Sequence, residues 1–245
     1  MRTSIVAERV LRQLLRNRRF LALSVVAPLV IVYFFKLFFD TFPEDFDVAR
    51  YIVPVAAFIV HFLAFILCAI ALVQERTAGT MERMFMNGFR RIEVIGGYVL
   101  GFLSLASLQV GIVLVEAIWL FELDYEAGTL AMLFAVVWLL AIASVMLGIF
   151  VSTFARHEGQ VFPFIPLVIL PSVFLSGMIV DAKELPTWAE WLGHALPLFY
   201  ANEVIQEVIA TGGGSAQEVV PGFVVLTIYG LALLLLASRT LREVE

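Results

Sequence analysis

Charged residues, cysteine, lysine and histidine are all scarce in this sequence, and each shortage closes off a class of function. Only 15% of the 245 residues are charged and 62% are hydrophobic, where globular chains carry about 25% and about 45–50% respectively. A chain of this length cannot hide so much apolar surface in a core of its own, so lipid must be its main solvent. The single cysteine, Cys68, lies in an apolar run, which excludes an internal disulfide and reads as a small packing residue. The two lysines, Lys36 and Lys183, are followed by Leu37 and Glu184. No Gly-x-x-x-x-Gly-Lys-[Ser/Thr] loop can therefore form to cradle phosphates with its backbone N–H groups. The histidines, His61, His157 and His194, fall with Cys68 at different depths and no His-Glu-x-x-His occurs, which excludes zinc hydrolysis. An intramembrane serine protease needs Gly-x-Ser-Gly on one span and a histidine on a later one. Here Ser176-Gly177 follows Phe174-Leu175, and the last apolar run has no histidine. A cleavable signal is also missing, since Arg9, Arg12, Arg16, Arg18 and Arg19 precede a long apolar run with no small-residue cleavage pattern after it.

What is abundant is apolar sequence in long blocks. A hydrocarbon core about 30 Å thick needs roughly 20 apolar residues of helix rising about 1.5 Å each. Six stretches qualify: 20–39, 51–73, 94–120, 127–155, 159–180 and 219–238. They lack the alternation and closely spaced turns of a membrane barrel. The basic residues fall on one side of these spans: six arginines before the first, Arg76, Arg83, Arg90 and Arg91 after the second, Arg156 after the fourth, Arg239 and Arg242 at the tail. The opposite side keeps Arg50 and Lys183, Lys36 snorkels outward from the first span, and its loops are acidic, with Asp40, Glu44, Asp45, Asp47, Glu122, Asp124, Glu126, Asp181 and Glu184 among them. Both termini are therefore expected in the cytoplasm.

Three segments are more than connectors. In residues 1–19, Arg9, Arg12, Arg16 and Arg19 recur at helical spacing while Val6, Val10 and Leu14 occupy another face. That pattern fits an amphipathic helix on an anionic membrane surface, or a plain positive-inside anchor. Residues 74–93 place Met81, Met84, Phe85, Ile92 and Ile95 on an apolar stripe with Glu82, Arg83, Asn87, Arg90 and Arg91 elsewhere on the wheel. Such a Met-rich surface docks a protein partner, unless the segment is a solvated connector. Residues 181–218 predict a short helix with Leu185, Trp188, Trp191, Leu192 and Ala195 at the headgroups, a stop at Pro197, a second helix over 198–210 and a Gly212-Gly213-Gly214 link, together an interfacial cap.

Within the spans, His61 lies about 15 Å deep, near the midplane. It either lines a path or bonds as a neutral imidazole to a neighbouring helix. Glu116, near the outer end of the third span, either attracts a cation or sits among headgroups; Gln109, deeper, is a helix–helix hydrogen-bonding group. Gly97-x-x-x-Gly101 permits close helix approach. Pro163, Pro166 and Pro171 should kink or break the fifth span, which places it at a dimer interface or translocation path.

The run Glu75-Arg76-x-x-Gly79-Thr80-x-Glu82-Arg83 after the second span resembles the coupling-helix motif of ABC-2-type transporter permeases. Phe174-Leu175-Ser176-Gly177-Met178, Leu185-Pro186-x-Trp188 and Leu196-Pro197-x-x-Tyr200 resemble the second signature region of that family. The resemblance covers essentially the whole chain. It implies one all-α transmembrane permease domain over 1–245, with six spans, an N-terminal interfacial helix, a cytoplasmic coupling helix and an outer helical insertion before the sixth span. It further implies two ATP-binding cassette subunits that carry ATP and Mg, and a second permease, identical or paralogous. This chain would bind no cofactor and no nucleic acid, and would lie in a cell membrane, of the prokaryotic kind. The coupling positions would be Glu75, Arg76, Gly79, Thr80, Met81, Glu82, Arg83, Met84 and Phe85, with His61, Gln109, Glu116, Pro163, Pro166, Pro171 and Ser176 as candidates for the substrate path. The signature run is more similar to drug-type than to polysaccharide-type permeases, leaving a lipid or polysaccharide exporter as the runner-up. A channel is the remaining rival, but no ring of polar residues marks a pore.

Overall fold

Backbone polar groups surrounded by hydrocarbon have no water to bond, so a lipid-solvated chain must satisfy them within helices. The computed structural model describes residues 2–43, 46–180, 184–214 and 216–240, and among them the regular structure is helical, with no strand. Helix α1 (Arg2–Arg16) precedes span one, in which α2 (Arg18–Leu21) passes through a π turn (Ala22–Val26) into α3 (Ala27–Phe39). Span two is α4 (Ala49–Thr77), and the short α5 (Thr80–Met86) leads to α6 (Arg91–Leu120), which carries span three. Span four is α7 (Ala127–Ser152). A 3₁₀ turn (Glu158–Gln160) and α8 (Phe164–Leu175) make span five, α9 (Thr187–Gly193) and α10 (Pro197–Thr211) follow, and α11 (Ala216–Thr240) carries span six. Six of these helices are long and apolar enough to cross a membrane. Glu44, Asp45, Asp181, Lys183 and Arg242, used above in assigning sides, lie outside the described residues.

Prolines set several boundaries. Pro28 sits in the first turn of α3, just after the π turn has widened the ladder. Pro54, inside α4, cannot donate to the Arg50 carbonyl four residues back. That carbonyl accepts instead from Gln206 Nε2 of α10 at 2.8 Å. In span five the expectation of three breaks is corrected: Pro163 is the N-cap of α8 and Pro166 lies in its first turn, where N–H groups have no helical partner to lose. Only Pro171 interrupts the ladder. Span five accordingly ends at Leu175 and not at Val180, and span four ends at Ser152 and not at Ala155.

Span two is the hub. In its apolar stretch 78% of the residues are buried, against 22% in span one, 28% in span six and 11% in span five. It packs mainly on α7, with α6 and α10 beside it. Val53, Ala57, Val60, Ala64 and Phe65 meet Val136, Val137, Leu140 and Ala141 in one continuous core. At the end opposite α5, Asn202 of α10 donates to Ser176 O at 3.0 Å and Thr129 donates to Gly212 O at 2.8 Å, closing the bundle. Trp188 and Trp191 of α9 project outward, 68% and 76% exposed.

The amphipathic N-terminal helix supplies a second correction. Its apolar face is buried in protein: Val6, Val10 and Leu14 are at most 6% exposed, and α1 lies along α6. The Gly97-x-x-x-Gly101 notch makes this possible, since a Cβ at Gly97 would collide with Val6 and one at Gly101 would stand 2.7 Å from Val10 Cγ1. We expect Gly97→Ala or Gly101→Ala to cost about 1–3 kcal/mol through overpacking, read as a lower unfolding midpoint in lipid nanodiscs. Gly111→Ala, whose Cβ would meet nothing within 4 Å, should leave the midpoint unchanged or slightly higher.

Candidate functional site

The segment after span two divides into residues that face inward and residues that face out. Because α4 runs on to Thr77, Glu75 and Arg76 belong to its last turn, and Ile92 and Ile95 to the start of span three. The separate helix is therefore only α5, and the predicted stripe does not lie on one element. Gly79, at φ +64°, makes the left-handed turn between α4 and α5.

Glu75 is 6% exposed and its carboxylate collects three partners. Tyr98 Oη of α6 donates to it at 2.7 Å, Arg9 of α1 stands 3.4 Å away, and Gln13 Nε2 of α1 also donates to it. One carboxylate thus ties spans two and three to the N-terminal helix. Arg76 turns the other way and donates to Ser152 O and, at 2.6 Å, to Ala155 O, covering the last carbonyl of span four and one in the turn beyond it. Helix α5 is mounted on the same frame. Met84, its buried residue, takes a contact from Arg9 Nη1 at 3.3 Å, while Arg2 donates to Gly88 O at 2.7 Å and lies over the Phe89 ring. Arg83 donates back to Ala78 O at 2.8 Å.

What remains outward on α5 is a compact ridge. Glu82, Arg83, Phe85 and Met86 are exposed, Met86 to 86%, and Thr80 and Met81 are half-buried. Two exposed apolar side chains beside one charge of each sign, on a fixed helix, make a surface suited to a protein partner.

The polar groups of the spans are scattered, and the structure does not bring the predicted path residues together. His61 is fully buried; its Nδ1 lies 2.7 Å from Ser144 Oγ of span four and its Nε2 3.5 Å from Ser172 Oγ of span five. No nucleophile results, because the Ser172 hydroxyl donates to Val168 O at 2.7 Å. Ser176 is buried at the end of α8, its carbonyl held by Asn202. Gln109 is buried with Nε2 unpartnered, and two helical turns on, along the same face of span three, Glu116 Oε2 is likewise buried and unpartnered. Among the described residues no three His, Cys, Asp or Glu groups could hold a metal ion. Tyr98, Gln13, Ser144 and Ser172 were missed in the sequence, and of these only Ser172, adjacent to Pro171, carried any local signal; Arg9 was read only as part of a basic helical face.

A family described as "ABC-2 type transporter" matches residues 1–210. The chain belongs to that family. Its relatives include the "ABC transporter G family member 20" of Dictyostelium discoideum, 28% identical over 178 residues, which are 72% of this chain and 24% of the relative. The Escherichia coli protein described as "Probable multidrug ABC transporter permease YbhR" is 22% identical over 163 residues, 66% of this chain and 44% of the relative. The Bacillus subtilis "Linearmycin resistance permease protein LnrN" is 27% identical over 141 residues, 58% of this chain and 36% of the relative. The chain spans less than half the length of each. With six membrane-capable helices, this ABC-2 chain is a multi-pass membrane protein of a transporter family.

The inward and outward groups of this ABC-2 chain separate in a measurement of stability. Glu75→Ala strands Tyr98, Gln13 and Arg9 and should cost about 2 kcal/mol, the scale of hydrogen bonds to a charged group. Glu82→Ala on the outward ridge should leave the unfolding midpoint in nanodiscs where it is. Equal losses for both variants would remove the distinction.

Proposed function

We propose that this chain is the membrane-spanning subunit of an ATP-driven exporter that moves a hydrophobic or amphipathic, drug-like small molecule out of the cytoplasm. The observation that carries this is the outward ridge of α5, Glu82, Arg83, Phe85 and Met86, fixed to spans two, three and four through Glu75 and Arg76. A partner that pushes on this ridge moves a rigid frame and not a loop. The partners would be two ATP-binding cassette subunits, which hold ATP and Mg and carry out hydrolysis, and a second permease copy or paralogue. The ridge would face the cytoplasm with both termini, in a prokaryotic cell membrane.

The cargo assignment is supported by the relatives, one of which is described as a probable multidrug ABC transporter permease and another as a linearmycin resistance permease protein. It is also supported by Gln109 and Glu116, whose unpartnered buried atoms lie along an otherwise apolar span and suit a molecule with one polar or cationic end. In this reading Gly79 and Thr80 set the angle of the ridge, and His61, Pro163, Pro166, Pro171 and Ser176 bear on the path through the conformation of span five.

The test is co-purification of the tagged chain with its ATPase, followed by hydrolysis and efflux assays in lipid. Stable association and hydrolysis stimulated several-fold by cargo are expected. Glu82→Lys should fold with wild-type stability, and Arg83→Glu, which gives up the bond to Ala78 O, with a loss of no more than about 1 kcal/mol; both should lose efflux about tenfold or more, with hydrolysis no longer responding to cargo. Normal efflux by these variants at equal expression would sink the coupling assignment. A chain that binds no ATPase and conducts ions would favour the channel.

A further inference from the structure

Hydrogen bookkeeping at His61 gives span five a conformational role. Ser144 Oγ donates its hydrogen to Leu140 O at 2.6 Å and Ser172 Oγ donates its own to Val168 O at 2.7 Å. Neither serine therefore has a hydrogen left for the imidazole. The 2.7 Å contact with Ser144 must be carried by a hydrogen on Nδ1, which assigns the tautomer and leaves Nε2 as a bare acceptor. That acceptor is fully buried and faces a hydroxyl 3.5 Å away whose hydrogen points elsewhere. A lone pair kept dry and unmatched is costly, and turning the Ser172 hydroxyl about its Cβ–Oγ bond would point its hydrogen at it.

The surroundings make this contact mechanically special. Span five is anchored at both ends. Val161 is fully buried with Ala69, Val73 and Ala155 at the α5 end, and at the far end Ser176 O is held by Asn202. Between the anchors, His61 supplies the polar contact from span two. Beside it, Pro171 removes the ladder bond to Leu167 O, so the ladder is weakest within one turn of the contact. Outward-facing Leu167, Leu170 and Phe174 are 68%, 53% and 57% exposed, so among the described residues nothing covers this face of the segment.

We propose that His61 and Ser172 form a two-state latch in mid-membrane. In one state the Ser172 hydroxyl bonds Val168 O and the middle of span five is free to bow away from span two. In the other it bonds His61 Nε2 and holds the segment in. Ser144 fixes the imidazole in both, which makes His61 a positioning residue for span five and not a contact for cargo. This inference does not depend on the exporter reading and is tested without an ATPase.

The experiment is amide hydrogen exchange of the full chain in lipid nanodiscs, followed over residues 164–175. His61→Asn keeps a donor where Nδ1 stands and removes Nε2; Ser172→Ala removes the hydroxyl; Ser172→Thr keeps it. Exchange in 164–175 should rise about threefold in His61→Asn and in Ser172→Ala, the factor corresponding to an average intramembrane hydrogen bond. It should rise no further in the double variant and should return to the wild-type rate in Ser172→Thr. The α4 peptide 62–73 should exchange as in wild type throughout. Unchanged exchange in both single variants, additive effects in the double variant, or a rise spread equally over 62–73 would each overturn the latch.

Discussion

A carboxylate buried at the end of span two governs the shape of the α5 end of this molecule. Glu75 cannot be left without partners at 6% exposure, because an unmatched buried charge is among the costlier defects a fold can carry. Its demand is met from two directions, by Tyr98 of span three and by Arg9 and Gln13 of α1. Everything at that end follows from the arrangement. Helix α1 must lie across α6 for Arg9 and Gln13 to reach, the Gly97 and Gly101 notch must be open for it to lie there, and Met84 must turn inward to cover the group. Glu82 and Arg83, with no comparable demand on them, are left at the surface. The polarity of α5 and its flanks is thus a consequence of where one buried charge finds its bonds.

The rest of the bundle shows the opposite economy. Span two is buried on nearly all sides and pairs closely with span four, whereas span five has little around it within the chain. An apolar helix exposed this widely meets either lipid or another protein, and in a membrane the two are nearly equivalent in hydrophobic terms. Packing and polar contacts therefore decide where span five rests. Asn202 and Val161 hold its ends, and the His61 node lies at its middle. A stiff half built on spans two, three and four thus stands beside a compliant element, a division of the kind that rigid-body transitions exploit.

The fold class and the spans were legible because lipid imposes a crude rule, a long apolar run, that survives almost any detail of packing. That 74–93 and 181–218 are more than connectors was legible for a related reason, since charged and Trp-bearing stretches flanked by Pro and Gly interrupt those runs, but of the helix expected over 74–93 only 80–86 is a separate element. Direction was not legible. Val6, Val10 and Leu14 make the same stripe whether they face lipid or α6, and Glu75 and Glu82 belong to the same motif although one is buried and one exposed. Pro163 and Pro171 read alike in sequence, yet one starts a helix and the other interrupts it, because the outcome depends on where the first turn falls. Gln206 closing the carbonyl freed by Pro54 could not have been foreseen at all, with donor and acceptor 156 positions apart in the chain.

These two kinds of information bear differently on function. The recognition proposed for α5 would need side chains presented at a fixed angle, and the fixing is done by partly buried bonds to charged groups, a kind worth about 1.5–3 kcal/mol each. Movement within the membrane needs contacts that can be exchanged, and hydrogen bonds between membrane helices, of the kind the serines and histidine make here, average about 0.6 kcal/mol, close to thermal energy. A displacement applied to the ridge would therefore pass undiminished through Glu75 and Arg76 into spans two, three and four. It would be absorbed first where the bonds are weakest, at the turn of span five around Pro171. The order of yielding follows from the strengths of the bonds alone, and it places the compliant part of the protein at the span with the least packing of its own.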